Sequence, residues 1–174
     1  MIEIEVKIRI GDPLEIKRRL IAQGCVVTME RFLEKNAFYD FRAGSLLAKK
    51  EALRLRTIGK RSWLTFKGPV QGSRSFKVRE EFESEIRNAP QFRKILRALG
   101  FQPIFQYRKR RAHLRKGRLK ICLDETSVGN FIELEGRRNE IVKFAKALGH
   151  TRADFVTRDY VQMIRSAERD RKRS

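Results

Sequence analysis

The sequence predicts an α+β domain dominated by about eight antiparallel strands, with a few helices. Two observations carry this. Many short segments alternate apolar and charged residues with the period of a strand, and Gly, Pro and Asn punctuate the stretches between them. A sheet of that size can close into a barrel. The length of 174 residues suits one domain and buries enough surface to fold without a disulfide or structural metal.

The elements follow in order. Ile2 to Ile10 alternates without exception, with Ile2, Ile4, Val6, Ile8 and Ile10 on one face and Glu3, Glu5, Lys7 and Arg9 on the other. Asp12-Pro13 opens a helix, with a capping side chain and a proline at the first position; Leu14, Ile16, Leu20 and Ile21 form its apolar stripe, and Gly24 ends it. Val26 to Tyr39 is rich in β-branched and aromatic residues and predicts a strand or a bent pair. Gly44 to Lys50 is expected to be a loop. Ala52 to Ile58 and Trp63 to Lys67 form strands around Gly59-Lys60-Arg61, with Trp63 and Phe66 expected to pack under helices. Residues 68–75 are the clearest loop, and Phe76 to Ile86 alternates again. Asn88, Pro90 and Gly100 bracket a second helix. Strands follow at Phe101 to Leu114, Arg118 to Asp124 and Asn130 to Gly136, then helices at Asn139 to Gly149 and Arg158 to about Asp170. The expected organisation is a single domain over 1–168 and a polar, basic tail over 169–174.

Charge and cysteine usage narrow the function. With 41 Lys+Arg against 21 Asp+Glu, the net charge of +20 attracts polyanions such as nucleotides, polyphosphate or nucleic acid. No apolar run reaches the length of a membrane-spanning helix, and the alternating N-terminal segment lacks a signal-peptide core, so no membrane partner is expected. Cys25 and Cys122 have neither a disulfide framework nor zinc spacing, and the expected compartment is the cytoplasm. His113 and His150 also lack metal-ligand spacing. Cys122 falls on a charged strand face as a small lining residue rather than a nucleophile.

Both signs of charge recur on the strands. Arg54 and Arg56 share a face, as do Thr65 and Lys67; Lys77, Arg79, Glu81, Glu83 and Glu85 share another. Lys109 and Arg111, Lys120 and Asp124, and Glu133 and Glu135 complete the set. The simpler interpretation is a one-sided sheet with solvated ion pairs. Against it stand the repeated Glu-x-Glu pairs and the repeated basic pairs. Clustered carboxylates suit a hard divalent cation, and clustered Arg and Lys suit phosphate oxygens. Together they suit a metal–polyphosphate complex.

The ordered motifs EIEVK at 3–7, FYD at 38–40, EALRLR at 51–56, LTFKGP at 64–69, REEFE at 79–83, KRR at 109–111, LDETSVGNFIELEG at 123–136 and RDY at 158–160 resemble the CYTH family, the triphosphate tunnel metalloenzymes. The resemblance implies an eight-stranded antiparallel β-barrel, a triphosphate tunnel, with its charged face inside and helices packed outside. It makes Glu3, Glu5, Glu133 and Glu135 the ligands of Mg²⁺ or Mn²⁺. It gives Lys7, Arg54, Arg56, Lys67, Lys109, Arg111 and Arg158 to the triphosphate, and it marks Lys7 and Asp124 as catalytic. Glu81 and Glu83 become secondary acidic residues, or charge balance for the basic ones. The implied activity is metal-dependent hydrolysis of a triphosphate: inorganic tripolyphosphate, thiamine triphosphate or a nucleoside triphosphate. Conversion of ATP to cyclic AMP by a class IV-type adenylyl cyclase is the alternative. Class IV cyclases carry a longer lead-in before the first motif, which tips the expectation towards hydrolysis. The general base stays open between Lys7 and a metal-bound hydroxide. A homodimer agrees with the resemblance. A reading from a different class is a non-catalytic nucleic-acid-binding protein, carried by the run at 107–120 with Arg108, Arg110, Arg115 and Lys116, and by the basic tail.

Overall fold

The strict alternation of the first segment produces a strand, β1 (Ile2–Ile10), whose two faces are both buried: Val6 and Ile8 on one, Glu5 and Lys7 on the other. The computed structural model describes residues 2–71, 73 and 75–173. After β1 come α1 (Pro13–Ala22), β2 (Val26–Phe41), α2 (Ser45–Ala48), β3 (Ala52–Ile58), β4 (Arg61–Lys67) and β5 (Lys77–Ile86). The chain continues with α3 (Ala89–Ala98), β6 (Phe101–Lys116), β7 (Leu119–Thr126), β8 (Gly129–Glu135) and α4 (Arg138–Ala147). A 3₁₀ turn (Arg152–Asp154), β9 (Phe155–Val156) and α5 (Tyr160–Arg171) complete it.

The strands form one sheet in the order β5-β4-β3-β2-β6-β7-β8-β1-β9, and β5 also pairs with β1. The ladder of eight long strands therefore closes on itself, as an antiparallel barrel, and β9 adds to β1. The ladders β1–β8, β2–β3, β3–β4, β4–β5, β6–β7 and β7–β8 are all antiparallel. Among the described residues no helix is long and apolar enough to cross a membrane.

The described residues divide into two compact units. The first contains 2–3, 33–71 and 78–108. Its core holds Tyr39, Leu53, Leu55 and the α3 residue Leu96, with Leu64, Phe66 and Phe92 packed against them. The second contains 4–32, 73, 75–77 and 109–173. Val6, Ile8, Leu20, Ile121, Ile132, Leu134 and Ile141 are buried there, each side chain contributing roughly 1.5–3 kcal/mol.

Local signals account for most boundaries. The Asp12 side chain accepts the Leu14 N–H at 2.9 Å, and Asn88 accepts that of Gln91 at 3.0 Å, as their positions before Pro13 and Pro90 predict. The expected loop at 44–50 instead contains α2. Asp40, buried at the end of β2, accepts the N–H groups of Leu46 and Leu47 at 2.9 and 3.0 Å and so holds this short turn of helix. The stretch expected as a strand or a bent pair is one 16-residue strand, β2. The expected polar tail begins within α5, which runs to Arg171; Ser174 lies outside the described residues.

Candidate active site

Cross-strand register gathers the charged residues. In the second unit, Lys7 faces Glu133, Glu133 faces Cys122, and Arg111 faces Asp124. Side chains on one face of such a row lie within reach of each other. Lys7 Nζ is 3.0 Å from Glu5 Oε1 and 3.3 Å from Glu133 Oε1, while Lys77 Nζ approaches the same Glu5 oxygen at 3.1 Å. Asp124 is the hub. It accepts Lys109 Nζ at 3.0 Å, the Arg111 guanidinium through both oxygens, and the Tyr160 hydroxyl at 2.7 Å. Arg111 also pairs with Glu133. The Tyr160 ring lies 5.3 Å from Lys7 Nζ and 4.7 Å from Lys109 Nζ, a cation–π arrangement.

The electrostatics follow from this packing. Burial alone would lower the Lys7 pKa, but the carboxylates of Glu5 and Glu133 outweigh it and raise it, so the ammonium stays charged. This environment suits Lys7 as a donor to phosphate rather than as a proton acceptor. Burial would raise Asp124 and Glu133, yet the charges of Arg111 and Lys109 hold both below their ordinary values. Burial and the surrounding carboxylates raise Tyr160, and burial pushes the Cys122 thiol up to about 12. Cys122 is thus no nucleophile at neutral pH.

The first unit holds a second cluster. Arg54 faces Thr65, which faces Glu83; Arg56 faces Trp63, which faces Glu85; Lys67 faces Glu81. Arg56 Nη2 donates to Glu83 Oε1 at 2.6 Å, and Arg54 Nη2 lies 3.6 Å from Glu83 Oε2. Lys67 pairs with Glu81 and lies 3.7 Å from Glu3 Oε2. The buried Glu34 accepts the Asn36 amide at 2.9 Å and lies 3.9 Å from the Arg56 guanidinium. Trp63 belongs to this charged face. Arg56 and Arg61 lie 5.2 and 5.0 Å from its ring, so the expectation that it packs under a helix fails, whereas Phe66 does join the apolar core. Strand parity decides the matter: Trp63 shares its face with Thr65 and Lys67, and Phe66 takes the other.

Most of the residues singled out from the sequence are thereby collected, within one unit or the other. Glu5, Lys7, Lys109, Arg111, Asp124 and Glu133 meet in the second; Glu3, Arg54, Arg56, Lys67, Glu81 and Glu83 meet in the first. Two are placed differently. Glu135 stands opposite Glu5 in the β1–β8 ladder, at the edge of the second cluster, and its carboxylate pairs with its β7 neighbour, the exposed Lys120, at 2.6 Å. Arg158 is exposed and donates to the Gln162 carbonyl at 3.3 Å on α5. The position two residues on, Tyr160, reaches the cluster instead. Sequence reasoning gave no site role to Tyr160, Lys77 or Glu34. RDY and the alternation of β5 carried signals for the first two, and nothing local marked Glu34.

The oxygen-only donor set of Glu5 and Glu133 suits a hard divalent cation. Among the described residues no three His, Cys, Asp or Glu side chains form a ready cage. A cation on these carboxylates would complete its shell with phosphate or water oxygens, the usual habit of Mg²⁺.

A closed antiparallel barrel with buried charges of both signs on its strands defines the class of protein. The CYTH domain family model matches residues 1–160, and the chain belongs to that family. A Methanocaldococcus jannaschii protein named as a candidate adenylate cyclase is 29% identical over 178 residues, covering 94% of this chain and 98% of its own. A Vibrio parahaemolyticus structure, likewise named as a candidate adenylate cyclase, superposes with a TM-score of 0.83 at 22% identity, covering 94% of this chain and 98% of that one. A Hippeastrum protein, described as a candidate adenylyl cyclase with a dominant triphosphatase activity, superposes with a TM-score of 0.69 at 23% identity, covering 95% and 96%.

Proposed function

We propose that the chain hydrolyses a triphosphate with the help of Mg²⁺ or Mn²⁺. The observation that carries this is the burial of Lys7, Lys109, Arg111, Asp124 and Glu133 in one cluster. Buried ion pairs add little to stability over well-packed apolar residues, so a fold that keeps this many has a use for them. Four cations, Lys7, Lys77, Lys109 and Arg111, are ready to donate to phosphate oxygens, with Lys7 held protonated. Asp124 keeps Lys109 and Arg111 in place, and Tyr160 fixes Asp124. Glu5 and Glu133 would hold the divalent cation, which neutralises phosphate oxygens and lowers the pKa of bound water. Once turned from their resting carboxylates to the phosphates, these side chains stabilise the developing negative charge.

The second reading is cyclisation of ATP. It is favoured by the names of the Methanocaldococcus jannaschii and Vibrio parahaemolyticus proteins. The first is supported by the activity described for the Hippeastrum protein. Product analysis with Mg²⁺ or Mn²⁺ separates them, using tripolyphosphate, thiamine triphosphate and ATP. Phosphate release that disappears in Glu5→Gln and Glu133→Gln establishes the hydrolase. Cyclic AMP with diphosphate establishes the cyclase, and neither product from any substrate rejects both.

A further inference from the structure

Helix α5 has two unlike faces. At 3.6 residues per turn, Tyr160, Met163 and Ile164 fall on one side, and all three are buried. Gln162, Arg165 and Arg169 fall on the other side, and with Arg158, which precedes the helix, they line an open groove. Lys172, one turn beyond Arg169, continues the same line. Glu168, three residues after Arg165 and four before Lys172, borders this line, and cations outnumber that single carboxylate along it. Its members lie on the side of α5 opposite the Tyr160 hydroxyl that holds Asp124, and the groove is distinct from the cluster described above.

The chemistry of the stripe selects its ligand. From Gln162 to Lys172 its helical part spans about 15 Å at a rise of about 1.5 Å per residue. That is too long for one phosphate group and suits a run of them. Arginine predominates, and a guanidinium grips phosphate oxygens through two parallel hydrogen bonds. An interfacial membrane helix needs an apolar face to insert. No large apolar side chain of α5 is among the exposed ones, because the apolar face is already buried in the protein. The stripe also has no aromatic residue on which a base could stack. We propose that this groove binds the phosphate backbone of nucleic acid without selecting bases.

The test is fluorescence anisotropy of the full chain with labelled single-stranded 20-mers of RNA and DNA over a salt series. A chain carrying +20 attracts any polyanion, so the comparison is between variants with equal charge removed. One is Arg165→Gln/Arg169→Gln/Lys172→Gln on α5. The other is Arg93→Gln/Lys94→Gln/Arg97→Gln on the exposed face of α3. The expected result is at least a ~10-fold loss for the α5 variant, a salt slope smaller by about 2, and a change under ~2-fold for the α3 variant. Circular dichroism checks that both fold. The exposed single substitution Arg169→Glu gives a second reading should the α5 triple variant unfold, and a loss of at least ~5-fold is expected there. Equal losses on α3 and α5 overturn the proposal, as does no binding at ~100 mM salt. Capture on phosphatidylserine vesicles without nucleic-acid binding overturns it as well.

Discussion

The Tyr160 hydroxyl donates to Asp124 Oδ2 at 2.7 Å, joining the first turn of α5 to the middle of β7. Asp124 is fully buried and carries Lys109 and Arg111 on its remaining lone pairs, so this one bond connects a helix to two of the cations assigned to phosphate. Tyr160→Phe removes the bond and keeps the ring. A hydrogen bond to a charged group contributes about 1.5–3 kcal/mol, and a loss of that size is expected in urea unfolding. If Tyr160 serves the reaction by fixing Asp124, the same variant lowers kcat more than it raises KM.

Acid sensitivity follows from the depressed carboxylates. Asp124 and Glu133 titrate below their ordinary values of 3.8 and 4.5. The unfolded chain therefore takes up protons first as pH falls. Their contribution is fully present above those ordinary values and is lost as pH drops through the folded ones. Urea midpoints measured between about pH 2 and 6 are expected to fall steeply below pH ~4. Asp124→Asn is expected to lie lower at neutral pH and to show a shallower acid decline.

Lys7 is 2% exposed and holds two carboxylates. Lys7→Met leaves both buried without it and is expected to cost about 3–5 kcal/mol. Adding Glu133→Gln removes one of those charges, and the double variant is expected to be more stable than the sum of the two single losses. A double-mutant cycle by denaturant unfolding reads the coupling. Strict additivity would show that the pair does not interact.

Thiol chemistry gives a simpler check. With Cys122 raised to about 12 and Cys25 buried and also raised, the native chain is expected to react slowly with a thiol-specific reagent at pH ~8. In denaturant both thiols react. Fast native modification of Cys122→Ser would assign an accessible thiol to Cys25.

Much of this was legible in the sequence because strand parity is a local property. Glu5 with Lys7, Arg54 with Arg56, and Lys109 with Arg111 follow from the period of two alone. Parity also places Trp63 with Thr65 and Lys67, although its size and aromaticity suggest a core residue; the neighbouring Arg56 and Arg61 give its ring cationic partners on the charged face. Partnerships between distant elements were not legible. Asp124 meets Tyr160 only after α5 packs back, a contact across 36 residues. The carboxylate of Glu135 has the same parity as Glu133, and it pairs with Lys120 because the β7–β8 register sets those two opposite each other, a pairing that strand parity alone does not give. Glu34 lies in a strand with many polar residues, and only the fold shows that it is buried.

The pairing of Lys7 with Glu5 and Glu133 has a consequence for how the cluster accepts a visitor. On the proposed reading, each ammonium would hold the place of a metal ion and each carboxylate that of a phosphate oxygen, and the resting protein would act as its own counterion. A triphosphate arriving with a divalent cation brings both signs at once. The lysines can turn to the phosphates while the glutamates turn to the cation, and no buried charge is stranded during the exchange. A triphosphate alone, or a cation alone, would break pairs on one side without replacing those on the other. The two are therefore expected to enter as a couple.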